Sequence, residues 1–498
     1  MDTGAFIRGW QQGRAQVGAD GELVLAPAPP TPLRDRARLA YSWLTERALR
    51  VSHRDLSFGD PEPARGGLSA ESYASFALLP LLALFTSQRL LFVGAPGRGK
   101  TTMATLVGQL AGIPWRQMRQ AVQHGHPQLT VADLLGAPLP SELLRASQTD
   151  EVRVAWRRWL TLRVKVIDEY NRIPTKTQSA LLSLMAEGYA EQFEQTVEVG
   201  RSAWFLTAND DEGGGTFPVI EALKDRIDLV VRCAPISSRE LDVLADRVAD
   251  GRAAPVDAPA DILFSGADLD AAEAEIRAVP LADGVLDVLG FFTGQLDFCL
   301  RASDRPERRT KDALHVAGRR VAAVCTEDCP LDKQVHLCTR TERGVSARAV
   351  QAILLTAKGL AWFRGAPAVT VAEVRQALPW VLHDKLAPNA QSPWFLQEGH
   401  EVLLLDRPGF HERLFDDALV MHAAHAPARG EARRLRDLLA RGPEGRSASE
   451  LDALGEEIGR AIAGIEAASE PGGALHDDLL LLRELSARCA DWAKERRG

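Results

Sequence analysis

The sequence predicts an α/β fold: a P-loop αβα sandwich followed by a C-terminal helical lid, with additional helical regions at both ends. Three observations predict it. Residues 94–101 read Gly94-Ala95-Pro96-Gly97-Arg98-Gly99-Lys100-Thr101, a complete G-x-x-x-x-G-K-[ST] loop. The apolar run Leu90-Leu91-Phe92-Val93 precedes it, and Met103, Leu106, Val107 and Leu110 follow at the i, i+3, i+4, i+7 spacing of a helix packed on a sheet. Two further β-rich runs end in polar residues, Val164 to Ile167 in Asp168-Glu169 and Ala203 to Ala208 in Asn209.

Strand, glycine loop and helix is the context in which such a loop binds a nucleoside triphosphate. The glycines let backbone N–H groups curl around phosphate oxygens, and the new helix points its positive end at them. The binding set runs from Gly94 to Thr102, with Lys100 reaching the β- and γ-phosphates and the Thr101 hydroxyl on Mg²⁺. A parallel sheet binds ligands at the C-terminal edge of its strands, so Asp168 would support Mg²⁺ and Glu169 would activate the attacking water. A strand ending in a solvated acidic turn is the plainer alternative for that pair. Asn209 could align the water or sense the γ-phosphate. Arg226, in Glu221-Ala222-Leu223-Lys224-Asp225-Arg226, either enters a neighbouring subunit's site as an arginine finger or pairs with Asp225 at the surface.

At 498 residues the chain is long enough for about three domains on the ~150-residue prior. Its net charge of −8 disfavours wrapping DNA or RNA, which needs a basic face, so no nucleic-acid partner is expected. The start, Met1-Asp2-Thr3-Gly4-Ala5, is not a secretory signal. The most apolar stretch, Phe76 to Phe85, is too short to span a bilayer and contains Pro80; it reads as a helix leading into the loop strand. Six cysteines in so long a chain read as reduced thiols, and a cytoplasmic protein without direct membrane insertion is expected.

The order glycine loop, Ile-Asp-Glu, Thr-Ala-Asn and Asp-Arg resembles an AAA+ ATPase. The segments Asp168-Glu169-Tyr170-Asn171-Arg172, Lys176-Thr177-Gln178-Ser179-Ala180-Leu181-Leu182 and Gly215-Thr216-Phe217-Pro218 are similar to MoxR-family motifs within the helix-2-insert clade. Gly344-Val345-Ser346-Ala347-Arg348-Ala349 resembles that family's lid motif. The resemblance implies ATP and Mg²⁺ as ligands, Asn209 as sensor 1, Arg226 as a finger acting in trans and Arg348 as a sensor 2 that binds nucleotide. It also implies a ring, taken as a hexamer, that hydrolyses ATP to remodel a protein client in a chaperone-like way, with a von Willebrand factor A domain protein as the expected kind of partner. A nucleotide-gated scaffold with little turnover and a DNA-remodelling motor of the same clade are the alternatives.

The resemblance covers roughly residues 73–260 and 340–388. Residues 137–162 would hold the helix-2 insert and Gly188 to Gly200 a hairpin before sensor 1. Their aromatics Tyr189, Phe193, Trp156 and Trp159 either touch a client or pack in the core. Tyr170 stands where the family has isoleucine, and Arg157-Arg158-Trp159-Leu160 lies where Gly-Pro-x-Phe is usual.

The remaining divisions are an N-terminal helical and linker segment (1–72), the nucleotide-binding core (73–238), a lid (239–388) with a Cys-rich insertion at about 299–343, and a C-terminal helical extension (389–498). In the insertion, Cys325, Cys329, His336 and Cys338 could form a tetrahedral Zn²⁺ site, with Cys299 as a substitute, or remain reduced thiols. The stretch Ala387 to Pro393 reads as a linker. Beyond it, Leu451, Leu454, Ile458, Ile462 and Ile465, then Leu475, Leu479 and Leu482, predict a helical hairpin with one apolar stripe per arm. It either packs on its own lid or offers a surface to a partner.

Overall fold

The computed structural model describes residues 15–17, 23–25, 31–47, 54–61, 69–143, 152–209, 217, 219–236, 238, 241–249, 257–325, 328–440, 442–467 and 472–497. Most of the proline-rich stretch from Ala26, the Gly215-Thr216 part of the family motif, and the Glu470-Pro471 break lie outside these residues.

Five parallel strands form the central sheet: β1 (Arg89–Val93), β2 (Val122–His124), β3 (Val164–Asp168), β6 (Ala203–Ala208) and β7 (Leu229–Arg232), in the spatial order β7-β1-β6-β3-β2. Leu206 lies opposite both Leu91 and Ile167, which fixes the register of the three middle strands. A parallel sheet is covered on both faces, and strand pleating sends alternate residues to each. Leu90, Phe92, Val164, Val166, Phe205 and Val231 enter one core, while Leu91, Ile167, Trp204, Leu206 and Val230 enter the other. Phe92 and Phe205 stack 6.4 Å apart, both fully buried. Each such side chain stabilises the fold by about 1.5–3 kcal/mol.

The larger core continues without a break into the lid. Helix α1 (Leu33–Arg47) packs on it through Ala37, Ala40, Trp43 and Leu44. The helix α2 (Ser75–Thr86) is apolar all round and wholly buried, as the Phe76–Phe85 run predicts. It lies among α3 (Lys100–Leu110), α7 (Gly266–Ala278) and α9 (Ala347–Arg364). On the other face of the sheet pack α5 (Thr175–Glu187) and the short α6 (Glu221–Arg226). Between sheet and insert, α4 (Trp115–Ala121) leads into β2. The antiparallel pair β4 (Tyr189–Gln192) and β5 (Gln195–Glu198) is the hairpin expected at 188–200. Trp159 is core, donating its indole N–H to Leu134 O, whereas Tyr189 and Phe193 are exposed.

The lid comprises α7, α8 (Val285–Asp297), α9 and α10 (Val371–Leu382). Helices α7 and α10 start on reciprocal caps, Ser265 with Asp268 and Thr370 with Glu373, each worth about 1 kcal/mol. The stretch from Ala387 that reads as a linker is instead packed structure. Asn389, Ser392 and Trp394 are buried, and the Trp394 ring lies 4.3 Å from the Arg340 guanidinium.

The C-terminal extension is a three-helix unit of α11 (Arg407–Ala440), α12 (Ala448–Ala467) and α13 (Gly473–Arg497). Leu454, Ile458, Ile465, Leu475, Leu479, Leu482 and Cys489 form its core together with Leu435 and Leu439 of α11. It docks on α8, where the buried Asp287 carboxylate accepts from His422, Arg429 and Arg433 of α11. The apolar stripes therefore close on each other and on α11, and it is the three-helix unit as a whole that sits on the lid. Among the described residues no helix is long and apolar enough to cross a membrane.

Candidate functional site

The glycine loop takes its shape from local backbone. Gly97 and Gly99 have φ of +79° and +72°, a left-handed conformation that disfavours side chains. A Cβ on Gly94 would lie 2.8 Å from Cys233 O, so only glycine lets the loop pass β7's end. The Arg98 guanidinium donates to the same carbonyl at 2.6 Å and ties the loop down. Lys100 opens α3, 7 % exposed, with its ammonium donating to Gly94 O, to Ala95 O at 3.1 Å and to Asn209 Oδ1 at 2.8 Å.

The carboxylates sit where β3 ends. Asp168 accepts from Thr101 Oγ1 at 2.7 Å and from Thr207 Oγ1 at 2.7 Å, and His124 Nδ1 lies 3.3 Å from its other oxygen. Glu169 follows with φ +53°, a left-handed backbone that costs a non-glycine residue about 1–3 kcal/mol and that clusters at functional sites. Three contacts hold it there: its N–H donates to Thr207 Oγ1 at 2.9 Å, Asn209 Nδ2 donates to its carboxylate at 2.9 Å, and Arg172 lies 3.3 Å away. Thr207 was not assigned a role by the sequence. It stands two residues before Asn209, on the same side of β6, and positions both acids.

These residues line one cavity of about 490 Å³, from Pro96 through Thr102 to Asp168, Glu169, Thr207 and Asn209, closed by Arg47, Phe76 and Ile236. The donor set fits a magnesium–triphosphate. A buried ammonium is turned onto carbonyl oxygens that stand where anionic oxygens would, and a hydroxyl and a carboxylate converge as Mg²⁺ ligands do.

Two expected residues are elsewhere. Arg226 and Arg348 line a separate cavity of about 650 Å³ with Ser87, Arg89, Asp228 and Lys358. It lies at the start of β1, whereas the glycine loop follows the end of that five-residue strand, roughly 15 Å away. Arg348, expected at the nucleotide, therefore does not line the nucleotide cavity of its own chain. Its guanidinium pairs with Asp225 at 2.8 Å, and Ser346 Oγ and Lys385 Nζ also bond that residue. The lid is thus fastened to α6. Arg226 donates to Leu182 O at 3.3 Å, and its buried Nε has no hydrogen-bond partner among the described residues. The surface pairing of Arg226 with Asp225 is not what the structure has.

The zinc expectation is corrected. Among the described residues no group of three or more His, Cys, Asp or Glu side chains is placed to hold a metal ion. Cys329 packs with Cys338 against Phe298 and Leu331, while Cys325 packs with Cys299 against Leu314, Val321 and Val324. All are free thiols. Burial pushes the Cys338 thiol up to about 12 and raises those of Cys299 and Cys325, which keeps them neutral.

Residues 89–229 match the profile of the ATPase family associated with various cellular activities (AAA), and residues 334–401 that of the AAA lid domain. The uncharacterized protein YeaC of Bacillus subtilis (strain 168) is 30 % identical over 172 residues, which is 34 % of this chain and 50 % of the relative. The chain thus matches about half the length of that relative. Among solved structures, an ATPase candidate from Cytophaga hutchinsonii is similar over 75 % of this chain and 94 % of its own, at 17 % identity and a TM-score of 0.49. A full-length MCM homolog from Methanopyrus kandleri is similar over 71 % and 61 %, at 15 % identity and a TM-score of 0.37. The chain therefore carries an AAA ATPase-family domain and an AAA lid domain, in the order and with the αβα architecture that its glycine loop leads one to expect.

Proposed function

We propose that the chain hydrolyses ATP at the interface between copies of itself. The carrying observation is the network in which Lys100, Thr101, Asp168, Glu169, Thr207 and Asn209 meet around one cavity while the arginine expected to complete it lies at the other end of β1. On binding, Lys100 exchanges Gly94 O, Ala95 O and Asn209 for the β- and γ-phosphates. Thr101 and Asp168 hold Mg²⁺, which when bound neutralises charge on the transferring phosphoryl group. Glu169 accepts the proton of the attacking water, and the amide of Asn209, released from Lys100, orients that water. Arg226 of the next copy stabilises the charge that develops. Arg348 comes with it, because Asp225 joins their two elements, so the lid senses the neighbour's nucleotide. Support for this is the distance of both arginines from the loop of their own chain.

A closed ring, a hexamer on the MoxR resemblance, follows from such a head-to-tail interface. Turnover would shift lid against core and carry the C-terminal extension with it, which is work on a protein client. The MoxR resemblance supports a von Willebrand factor A domain partner, and the free thiols support a cytoplasmic setting. Steady-state ATPase on wild type beside Glu169→Gln tests the reading. Turnover in the wild type and not in the variant supports it; equal turnover removes the hydrolase and leaves a nucleotide-gated scaffold.

A further inference from the structure

Asp168 is held from both neighbouring strands. On β6, Thr207 stands one residue past the Leu206–Ile167 pair and donates its Oγ1–H to Asp168 Oδ1 at 2.7 Å. Thr101 donates to that same oxygen from the start of α3. On the edge strand β2, His124 is the direct partner of Asp168 in the parallel ladder, so the two side chains leave the same face of the sheet. Its Nδ1 lies 3.3 Å from Oδ2, the oxygen to which neither threonine donates. An ionised carboxylate can only accept, so the imidazole is the donor.

The end of β2 is shaped for this approach. Gly125, the residue after His124, donates its N–H to Asp168 O at 2.7 Å. It is buried, and a Cβ there would stand 2.2 Å from Glu169 O. A side chain at this position would push the strand end off the acid pair and take His124 with it. The His124 side chain itself is 71 % exposed, so its pairing with Asp168 adds little to the stability of the fold. What the pairing fixes is the plane of a carboxylate that converges with the Thr101 hydroxyl in the donor set that fits Mg²⁺.

We infer that His124 is a positioning residue for Asp168, holding Oδ2 so that the carboxylate meets the metal already oriented. The inference rests on the reading of Asp168 as the Mg²⁺ support and adds what aims it. Thr101 leaves Asp168 when its hydroxyl turns to the cation, and Thr207 and His124 are then the two side-chain anchors that remain. A carboxylate anchored at one oxygen can still turn about its last bond. One anchored at both, from two strands, cannot. Groups that orient a metal's ligands change its affinity by ~10–100-fold.

The test is binding of a fluorescent ATP analogue to the full chain on the Glu169→Gln background, once with Mg²⁺ and once with a chelator. The ratio of the two affinities measures how far protein and metal cooperate in holding the nucleotide, independently of turnover. His124→Ala is expected to shrink that ratio about tenfold. His124→Asn, whose amide nitrogen stands as many bonds from Cβ as Nδ1 does, is expected to restore most of it. A variant that binds more weakly in both conditions alike keeps the parent's ratio and counts against the role. An alanine ratio equal to the parent's, or an asparagine ratio as low as that of alanine, overturns the positioning role alone. A parent that gains nothing from Mg²⁺ overturns the positioning role and the magnesium reading of Asp168 together.

Discussion

The cavity under the glycine loop and the cavity beside Arg226 are of similar size, about 490 and 650 Å³, yet they are furnished oppositely. The first joins one ammonium to two carboxylates, a hydroxyl and an amide within a single bonded network. The second gathers Arg89, Arg226, Arg277, Arg348 and Lys358 around a single buried carboxylate, Asp228, and has no phosphate loop. Burial raises the Asp228 carboxyl, with Arg89 opposing the rise, so even that anion is weakened. One cavity has a phosphate loop with a carboxylate pair to seat a magnesium–triphosphate; the other gathers cations and has nothing to seat. A strand's length separates them, so within one molecule they cannot cooperate.

Removing the cation should do the most. Arg226→Ala is expected to lower turnover by ~10³–10⁵, about 4–7 kcal/mol of barrier, with nucleotide binding little changed. Mixing it with Lys100→Ala subunits should restore part of the activity, since some interfaces then pair an intact loop with an intact arginine. Mixed rings without recovery at any ratio would put both cavities to work separately and break the comparison. Glu169→Gln is expected to come next, losing ~10²–10⁴ while ATP stays bound. The two variants should separate in their partners: Glu169→Gln silences the site it belongs to, Arg226→Ala the site next door.

Arg348 sharpens the same contrast at smaller scale. Asp225→Asn removes the charge that fastens it to α6 and leaves Arg226 in place. The pair is half exposed, so its contribution to stability is small, under about 1 kcal/mol. The expected result is a roughly tenfold fall in turnover with unchanged melting, as the lid loses its hold on the finger helix. An Arg348→Ala variant that lowers nucleotide affinity in isolated monomers would instead return that residue to its own chain's site.

What the sequence disclosed follows the range of the forces involved. The glycine loop is eight consecutive residues whose backbone angles are set locally, and the acids close an apolar strand, so both were legible. Thr207 was hidden as one hydroxyl inside an apolar run, although its distance of two from Asn209 put it on the functional side. Arg348 was recognised as a motif, but not which copy's nucleotide it could reach, because which end of the sheet a lid covers depends on α9 packing against α2 and α10, not on its own residues. The cysteines show the opposite failure. Their close spacing suggested convergence, but spacing within a turn-rich insertion does not say which way side chains face, and packing divides them between two small apolar clusters. The stripes of α12 and α13 were readable by period alone; their third helix and the Asp287 clamp were not.

The smallest effect expected comes from a cation unlike any in the Arg226 cavity. Lys165 lies in mid-sheet on β3, wholly buried, three residues before Asp168, with its nitrogen donating to Leu162 O at 2.6 Å and 5.5 Å from the Trp204 ring. Burial, helped by the nearby Arg163 charge, lowers its pKa from 10.5 to about 7, whereas Arg89 and Arg348 at the cavity each have a carboxylate beside them. Between those two values the unfolded chain holds a proton that the folded chain has released, so stability should climb as pH rises from about 7 towards 10.5. Lys165→Met, of similar length and without the proton, should flatten that climb and shift the denaturation midpoint upward at pH 7 more than at pH 9. Equal slopes in the two proteins would mean that the carbonyl and the indole face suffice to keep Lys165 charged. The sheet would then hold a true buried cation three residues before Asp168, and the cavities would not be the only places where charge is set apart.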